Sequence, residues 1–201
     1  MNCAVIILAG GKSARLGKAK QQLPYGDKSL LQHAADTAIE TGLEPVIVVL
    51  GARGDIISES LTGMPVKIVV NSAWEEGMAS SIRSGINELL QHYPQTDGAI
   101  IMVCDQPFVS VGLLDSLLET QHETGKPVVA ATYDGITGTP VLFHRKIFFS
   151  LMELKGDKGA GKFLGKHPEW VATVTFPEGK LDIDTETDYE NLQQWKKNPA
   201  T

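Results

Sequence analysis

Seven short apolar runs punctuate the chain, at residues 3–9, 45–50, 66–70, 99–104, 127–132, 140–143 and 171–176. They are rich in Val, Ile and Ala. The early ones are apolar at consecutive rather than alternate positions, which predicts strands buried on both faces. Between them, apolar residues recur at helical spacing: Leu30, Leu31, Ala34, Ala35, Ala38 and Ile39; Ile56, Ile57 and Leu61; Ile82, Ile86, Leu89 and Leu90; Leu113, Leu114, Leu117 and Leu118. Residues 147–154 and 185–195 read as further helices, and Gly42 closes the first. Strand alternating with helix predicts an α/β fold, a three-layer α/β/α sandwich around a mostly parallel central sheet. No repeat, low-complexity segment or linker interrupts it, so a single domain over residues 1–201 is expected. Ligands in such folds sit beyond the carboxyl ends of the strands, and the segments following each strand are where the chemistry is sought.

Composition adds exclusions. Hydrophobic residues at 42% and charged residues at 21% are ordinary for a soluble globular protein. The net charge of −6 argues against general nucleic-acid binding while leaving room for a local basic pocket. Cys3 and Cys104 lie in apolar runs and read as buried, reduced thiols, and no CxxC or histidine cluster accompanies them. The N-terminal apolar run is too short for a signal segment or a membrane span. A cytoplasmic protein with neither nucleic-acid nor membrane partners is expected.

The segment after the first strand, Leu8-Ala-Gly-Gly-Lys-Ser-Ala-Arg-Leu-Gly-Lys-Ala-Lys-Gln-Gln-Leu-Pro24, carries Lys12, Arg15, Lys18 and Lys20. No acid occurs from Met1 to Gly26, in a chain that is acidic overall. Glycines that expose backbone N–H groups, together with these cations, make a polyphosphate cradle; the plain alternative is a solvated basic loop. It is no Walker A loop, because Gly17-Lys18 is followed by Ala19, and Gly10-Gly11-Lys12 breaks the dinucleotide fingerprint.

Later strands are followed by further stations. Asn71-Ser-Ala-Trp-Glu-Glu-Gly77-Met-Ala-Ser80-Ser81 offers a glycine for close backbone approach and two serines that read equally as helix caps. Asp105, in Cys104-Asp105-Gln106-Pro107, sits where a strand-end acid holds Mg²⁺, or where an Asp simply forms a turn. Gly135-Ile-Thr-Gly138-Thr139-Pro140 reads as a small-residue turn before a strand. Gly156–Lys162, with Lys158 and Lys162, reads as a surface loop or a second anion site. In Asp182-Ile183-Asp184-Thr185 an extended chain points both acids one way, which suits a divalent ion; helix-start charges are the alternative. Thr185 with Asp188 has the spacing of a capping box.

Leu8-Ala-Gly-Gly-x-Ser-x-Arg15-Leu-Gly, then Lys20 and Leu23-Pro24, resembles the signature loop of MobA-like nucleotidyltransferases, and within them the molybdenum cofactor cytidylyltransferases. The order of motifs matches across nearly the whole chain. The resemblance implies a Rossmann-like, GT-A-like nucleotidyltransferase fold and an Mg²⁺-dependent enzyme. That enzyme would move CMP from CTP onto the phosphate of molybdopterin, the molybdenum cofactor, and release pyrophosphate. Leu8, Ala9, Gly10, Gly11, Lys12, Arg15 and Lys20 would then face the nucleotide, with Arg15 and Lys20 on the triphosphate. Asn71, Gly77, Ser80 and Ser81 would line base and ribose. Asp105 would bind the catalytic metal with Asp182 and Asp184, and Gly138, Thr139, Pro140, Lys158 and Lys162 would face the acceptor.

Catalysis would consist of positioning and charge neutralisation by Arg15, Lys20 and the metal on Asp105, because an acceptor phosphate is already ionised and needs no general base. Three rivals stand beside this reading. One is a GTP-dependent guanylyltransferase on the same cofactor, and another a sugar- or polyol-phosphate cytidylyltransferase. The third is a non-catalytic protein that delivers the cofactor to a molybdenum hydroxylase apoenzyme or its chaperone. Retention of Asp105, Asp182 and Asp184 favours an enzyme. Residues 71–81 and the Asp-Ile-Asp-Thr motif resemble the cytidylyltransferase subgroup more than the guanylyltransferase branch, whereas a Gly10-Gly11 pair is seen more on the guanylyl side.

Overall fold

The computed structural model describes residues 1–11, 19–157 and 159–197. Strand β1 (Cys3–Ala9) is buried at every position. A small hairpin follows, β2 (Pro24–Tyr25) with β3 (Lys28–Ser29). It leads into helix α1 (Leu30–Glu40), whose start is fixed by a reciprocal capping box: Gln32 N donates to Ser29 Oγ at 3.2 Å, and Ser29 N donates to Gln32 Oε1 at 2.8 Å. Next come β4 (Val46–Leu50), α2 (Gly54–Glu59), β5 (Lys67–Val70), α3 (Met78–His92), β6 (Gly98–Val103) and α4 (Val111–Thr124). The chain continues through β7 (Val128–Tyr133), β8 (Ile136–His144), α5 (Phe148–Met152), α6 (Gly161–Lys166), β9 (Val171–Thr175) and α7 (Glu186–Lys197).

Seven strands form one sheet in the order β5-β4-β1-β6-β8-β7-β9. β8 pairs antiparallel with both neighbours, and the remaining pairings are parallel. Side-chain alternation along β1 feeds two cores. Val5, Ile7 and Ala9 join Leu31 and Ala35 of α1 and Leu114 and Leu117 of α4 on one face. Ala4, Ile6 and Leu8 join Ile82, Ile86 and Leu89 of α3, Phe148 of α5 and Phe163 of α6 on the other. These are the three layers that the apolar runs predict. Between β1 and β6 the strand order reverses, which places the ligand crevice beyond their carboxyl ends.

Two local expectations change. The stretch 135–140 is no turn. Asp134 (φ 49°) and Gly135 (φ 75°) alone make it, and Ile136–Pro140 already belong to β8. Two consecutive left-handed residues close an antiparallel pair most tightly, so the strands begin directly on either side. The helix expected over 147–154 is shorter, and α6 appears inside the glycine-rich stretch because Phe163 and Leu164 are buried there. Packing outweighs the low helix propensity of Gly161 and Gly165.

Candidate active site

The loop leaving β1 is squeezed against its neighbours. A Cβ on Gly51, just past β4, would lie 2.4 Å from the Gly10 carbonyl oxygen, and one on Gly10 would lie 2.9 Å from Ser81 Oγ. Glycine at both positions lets the two backbones and the first turn of α3 meet. Gln21, buried although polar, donates through Nε2 to the carbonyls of Ala9 (2.7 Å) and Gly11 (3.0 Å), folding the far end of the loop back onto its start. Over these ends lies a cleft of about 480 Å³. Leu8, Ala9, Gly10, Gly11, Lys20, Gly77, Ser81 and Asp105 line it, joined by Gln21, Trp74, Glu75, Met78 and Asp157, which sequence reasoning did not single out.

Asn71 and Ser80 do not line the cleft. Both are buried behind its wall, where Asn71 Nδ2 donates to Ser80 Oγ at 2.8 Å and to Ser81 Oγ at 3.1 Å. Ser80 Oγ donates in turn to the Gly77 carbonyl at 2.8 Å. The serines are not caps: α3 starts on Gly77, and they lie inside its first turn. The polar net therefore fixes the wall while Ser81 alone of the three reaches its surface. Gly77 adopts φ 108°, and a Cβ there would strike Asp157 Oδ1 at 2.2 Å. The Ala79 amide donates to the Gly156 carbonyl at 3.2 Å, docking Gly156 onto the helix start. Arg83, given no role from sequence, ties the segment before α3 to the chain after α5: Nη2 donates to Glu76 Oε2 at 2.6 Å and Nη1 to the Leu154 carbonyl at 2.5 Å.

The acids converge from two distant segments. Ile183 is buried with Leu23, Leu30 and Leu192, an anchor worth about 2 kcal/mol. Its amide donates to the Asp105 carbonyl at 3.1 Å. The side chains on either side of it, Asp182 and Asp184, are thereby set near the end of β6. Lys20 Nζ pairs with Asp105 Oδ2 and lies 3.0 Å from Asp184 Oδ1. Burial depresses the Lys20 ammonium, but the Asp105 carboxylate outweighs it and pushes its pKa above the ordinary value. Burial, and then the Asp105 carboxylate, push Asp182 up to about 6, with Asp184 adding to the rise; a hydrogen bond from Gln106 and the charge of Lys20 oppose it. Thr185 and Asp188 form the expected reciprocal cap, the Thr185 amide donating to Asp188 Oδ2 at 2.7 Å and the Asp188 amide to Thr185 Oγ1 at 3.2 Å.

On the acceptor side, Gly138, Thr139 and Pro140 lie in β8. Gly138 passes beneath Tyr133, whose hydroxyl would be 2.6 Å from a Cβ, and Thr139 Oγ1 donates to Gln106 Oε1 at 3.0 Å. Lys12, Arg15 and Lys158 lie outside the described residues; Lys162 falls in α6, and its side chain is likewise outside them.

Among the described residues no set of three or more His, Cys, Asp and Glu side chains has the arrangement of a preformed metal cage. Asp105 and Asp184 instead hold the Lys20 ammonium between them, a cation among carboxylates. Oxygen-only, anionic donors suit a hard divalent ion such as Mg²⁺ or Mn²⁺. Among the described residues no helix is long and apolar enough to cross a membrane.

A family model described as the MobA-like NTP transferase domain matches residues 5–171. Nicotine blue oxidoreductase of Paenarthrobacter nicotinovorans is 29% identical over 191 residues, covering 90% of this chain and 91% of that protein. Molybdenum cofactor cytidylyltransferase of Escherichia coli is 22% identical over 188 residues, 92% of each chain. Among solved structures, Rv0371c of Mycobacterium tuberculosis H37Rv is 30% identical with a TM-score of 0.81, over 96% of this chain and 98% of that one. The complex of the same protein with manganese matches at 26% identity and a TM-score of 0.79, over 96% and 99%.

Proposed function

The chain belongs to the MobA-like NTP transferase family and is a nucleotidyltransferase, and from that premise we propose that it moves CMP from CTP onto the phosphate of molybdopterin with release of pyrophosphate. The observation that carries this reading is the Lys20 ammonium held by Asp105 and Asp184 at the floor of a glycine-walled cleft. A cation beside acids, next to backbone that a nucleotide can approach closely, suits a triphosphate and its divalent ion. The relationship to the cytidylyltransferase of Escherichia coli supports CTP and molybdopterin, and the manganese complex of the Mycobacterium tuberculosis relative supports a divalent ion.

In this mechanism the Gly10-Gly11 backbone and Ser81 bound the nucleotide, while Lys20 and Arg15 neutralise its phosphates. Asp105, Asp182 and Asp184 would hold Mg²⁺, which when bound supplies charge neutralisation at the α-phosphate and the leaving pyrophosphate. The acceptor phosphate oxygen attacks the α-phosphorus in line and the bond to the β-phosphate oxygen breaks. No side chain takes a proton. Gly138, Thr139 and Pro140 orient the acceptor, together with Lys158 and Lys162.

Thermal-shift titration with CTP, GTP, ATP and UTP in the presence of Mg²⁺ tests the nucleotide choice, and CTP is expected to give the largest stabilisation. A GTP preference moves the assignment to guanylyl transfer. A relative named as an oxidoreductase adds one more arm: stabilisation by a nicotinamide dinucleotide and by none of the four triphosphates would overturn the reading.

A further inference from the structure

Gln21 is 1% exposed, although it is polar and lies beyond the end of β1 in a connecting segment. The two hydrogens of its Nε2 serve two carbonyls, Ala9 at 2.7 Å and Gly11 at 3.0 Å, on either side of Gly10. The short 3₁₀ turn Lys20–Gln22 that presents it is anchored by the next residue. Leu23 is buried with Leu30, Ile183 and Leu192, and the Leu30 amide donates to the Leu23 carbonyl at 3.0 Å. Adjacent positions of that turn reach different parts of the cleft. Lys20 pairs with Asp105 and Asp184, whereas Gln21 meets the chain leaving β1. The two segments run close together: a Cβ on Gly11 would lie 4.0 Å from Lys20 Cε.

A carbonyl oxygen is the negative end of a peptide group and repels a phosphate, while the N–H is the positive end and binds it. In a planar trans peptide the two point in opposite directions. Holding the Ala9 carbonyl on Gln21 therefore turns the Gly10 N–H away from Gln21. The Gly10 carbonyl oxygen lies against Gly51, which turns the Gly11 N–H away from that neighbour. Three successive oxygens, those of Ala9, Gly10 and Gly11, are thus directed onto protein. We propose that Gln21 is a positioning residue for the phosphate chain of the nucleotide: by taking the carbonyls of Ala9 and Gly11, it keeps them off the triphosphate and fixes the backbone N–H groups of the Gly10-Gly11 pair for it. This rests on the reading of the segment after β1 as a triphosphate cradle. One turn then serves the same anion twice, with charge from Lys20 and with backbone orientation from Gln21.

Isothermal titration of the full chain with inorganic tripolyphosphate and with CTP, both without divalent ion, separates this role from simple packing. Gln21→Met keeps the side-chain length and loses both donors. Affinity for tripolyphosphate is expected to fall about tenfold, the loss of one hydrogen bond to a charged group, and by at least as large a factor as affinity for CTP. A packing defect would instead move Gly10 against Ser81 and weaken CTP more than tripolyphosphate. That result, or wild-type affinity for both, overturns the proposal. Lys20→Ala separates it from the parent reading. If that variant loses tripolyphosphate and Gln21→Met keeps it, the cradle stands and the proposal alone fails. If the wild type binds no tripolyphosphate, the cradle reading fails and the proposal with it. Should Gln21→Met not fold, nuclear magnetic resonance of the wild type decides. Tripolyphosphate is expected to move the backbone amide resonances of Gly10 and Gly11 while the Gln21 side-chain amide stays protected from solvent exchange. Unmoved glycine amides, or a freely exchanging Gln21 amide, overturn the proposal.

Discussion

The backbone N–H of Ile183 donates to the backbone carbonyl of Asp105 at 3.1 Å. This one bond joins the acid at the end of β6 to the segment that brings Asp182 and Asp184. Lys20 then closes the group from a third direction. The arrangement is costly without positive charge, because like charges gathered in a partly buried place repel.

Asp105→Asn keeps the side-chain shape and removes the charge that Lys20 and the divalent ion share. Divalent-dependent pyrophosphate release is expected to fall at least about 100-fold in kcat/KM, with cooperative thermal unfolding retained. Wild-type turnover in this variant would remove Asp105 from the metal site.

Arg83 braces the cleft wall at Glu76, next to the cleft-lining Glu75 and Gly77, against the Leu154 carbonyl. Arg83→Ala is expected to raise KM for the nucleotide about tenfold, with a smaller effect on kcat, because a displaced wall misplaces the substrate rather than removing a reacting group. Arg83→Lys should not restore it, since one ammonium does not reproduce a forked guanidinium. Steady-state kinetics of the two variants check this, and a wild-type KM in Arg83→Ala would contradict it.

Burial pushes the thiols of Cys3 and Cys104 from an ordinary 9.0 up to about 12. The folded protein holds these protons more tightly than the unfolded chain does. Their stabilising contribution is therefore complete below pH 9.0 and is lost as pH rises toward about 12. Urea melts across that range should show falling stability. At about pH 8 a thiol reagent should react with neither cysteine until the protein is unfolded; rapid reaction in the native state would contradict the burial.

Much of the fold was legible because β1, β4 and β6 are continuous apolar runs, and only a strand covered on both faces needs them. The ends of those strands pointed to Gly10, Lys20 and Asp105 for the same reason. What stayed illegible depends on contacts between segments distant in sequence. Gln21, Gln106 and Arg83 are ordinary polar residues whose roles are set by the carbonyls and carboxylates the fold brings to them. Asn71 and Ser80 show the converse: adjacent to the cleft in sequence, they are spent on holding its wall. Trp74 and Asp157 both line the cleft, and Gly51 and Gly77 respectively allow their close approach to the neighbouring backbone.

The central claim is tested most directly by following the label when the purified protein is given CTP labelled at its α-phosphate, Mg²⁺ and molybdopterin. The account predicts label in a molybdopterin cytosine dinucleotide with pyrophosphate released in equal amount, and neither product from Asp105→Asn. Label remaining in CTP, under conditions where the protein binds both substrates, would contradict it.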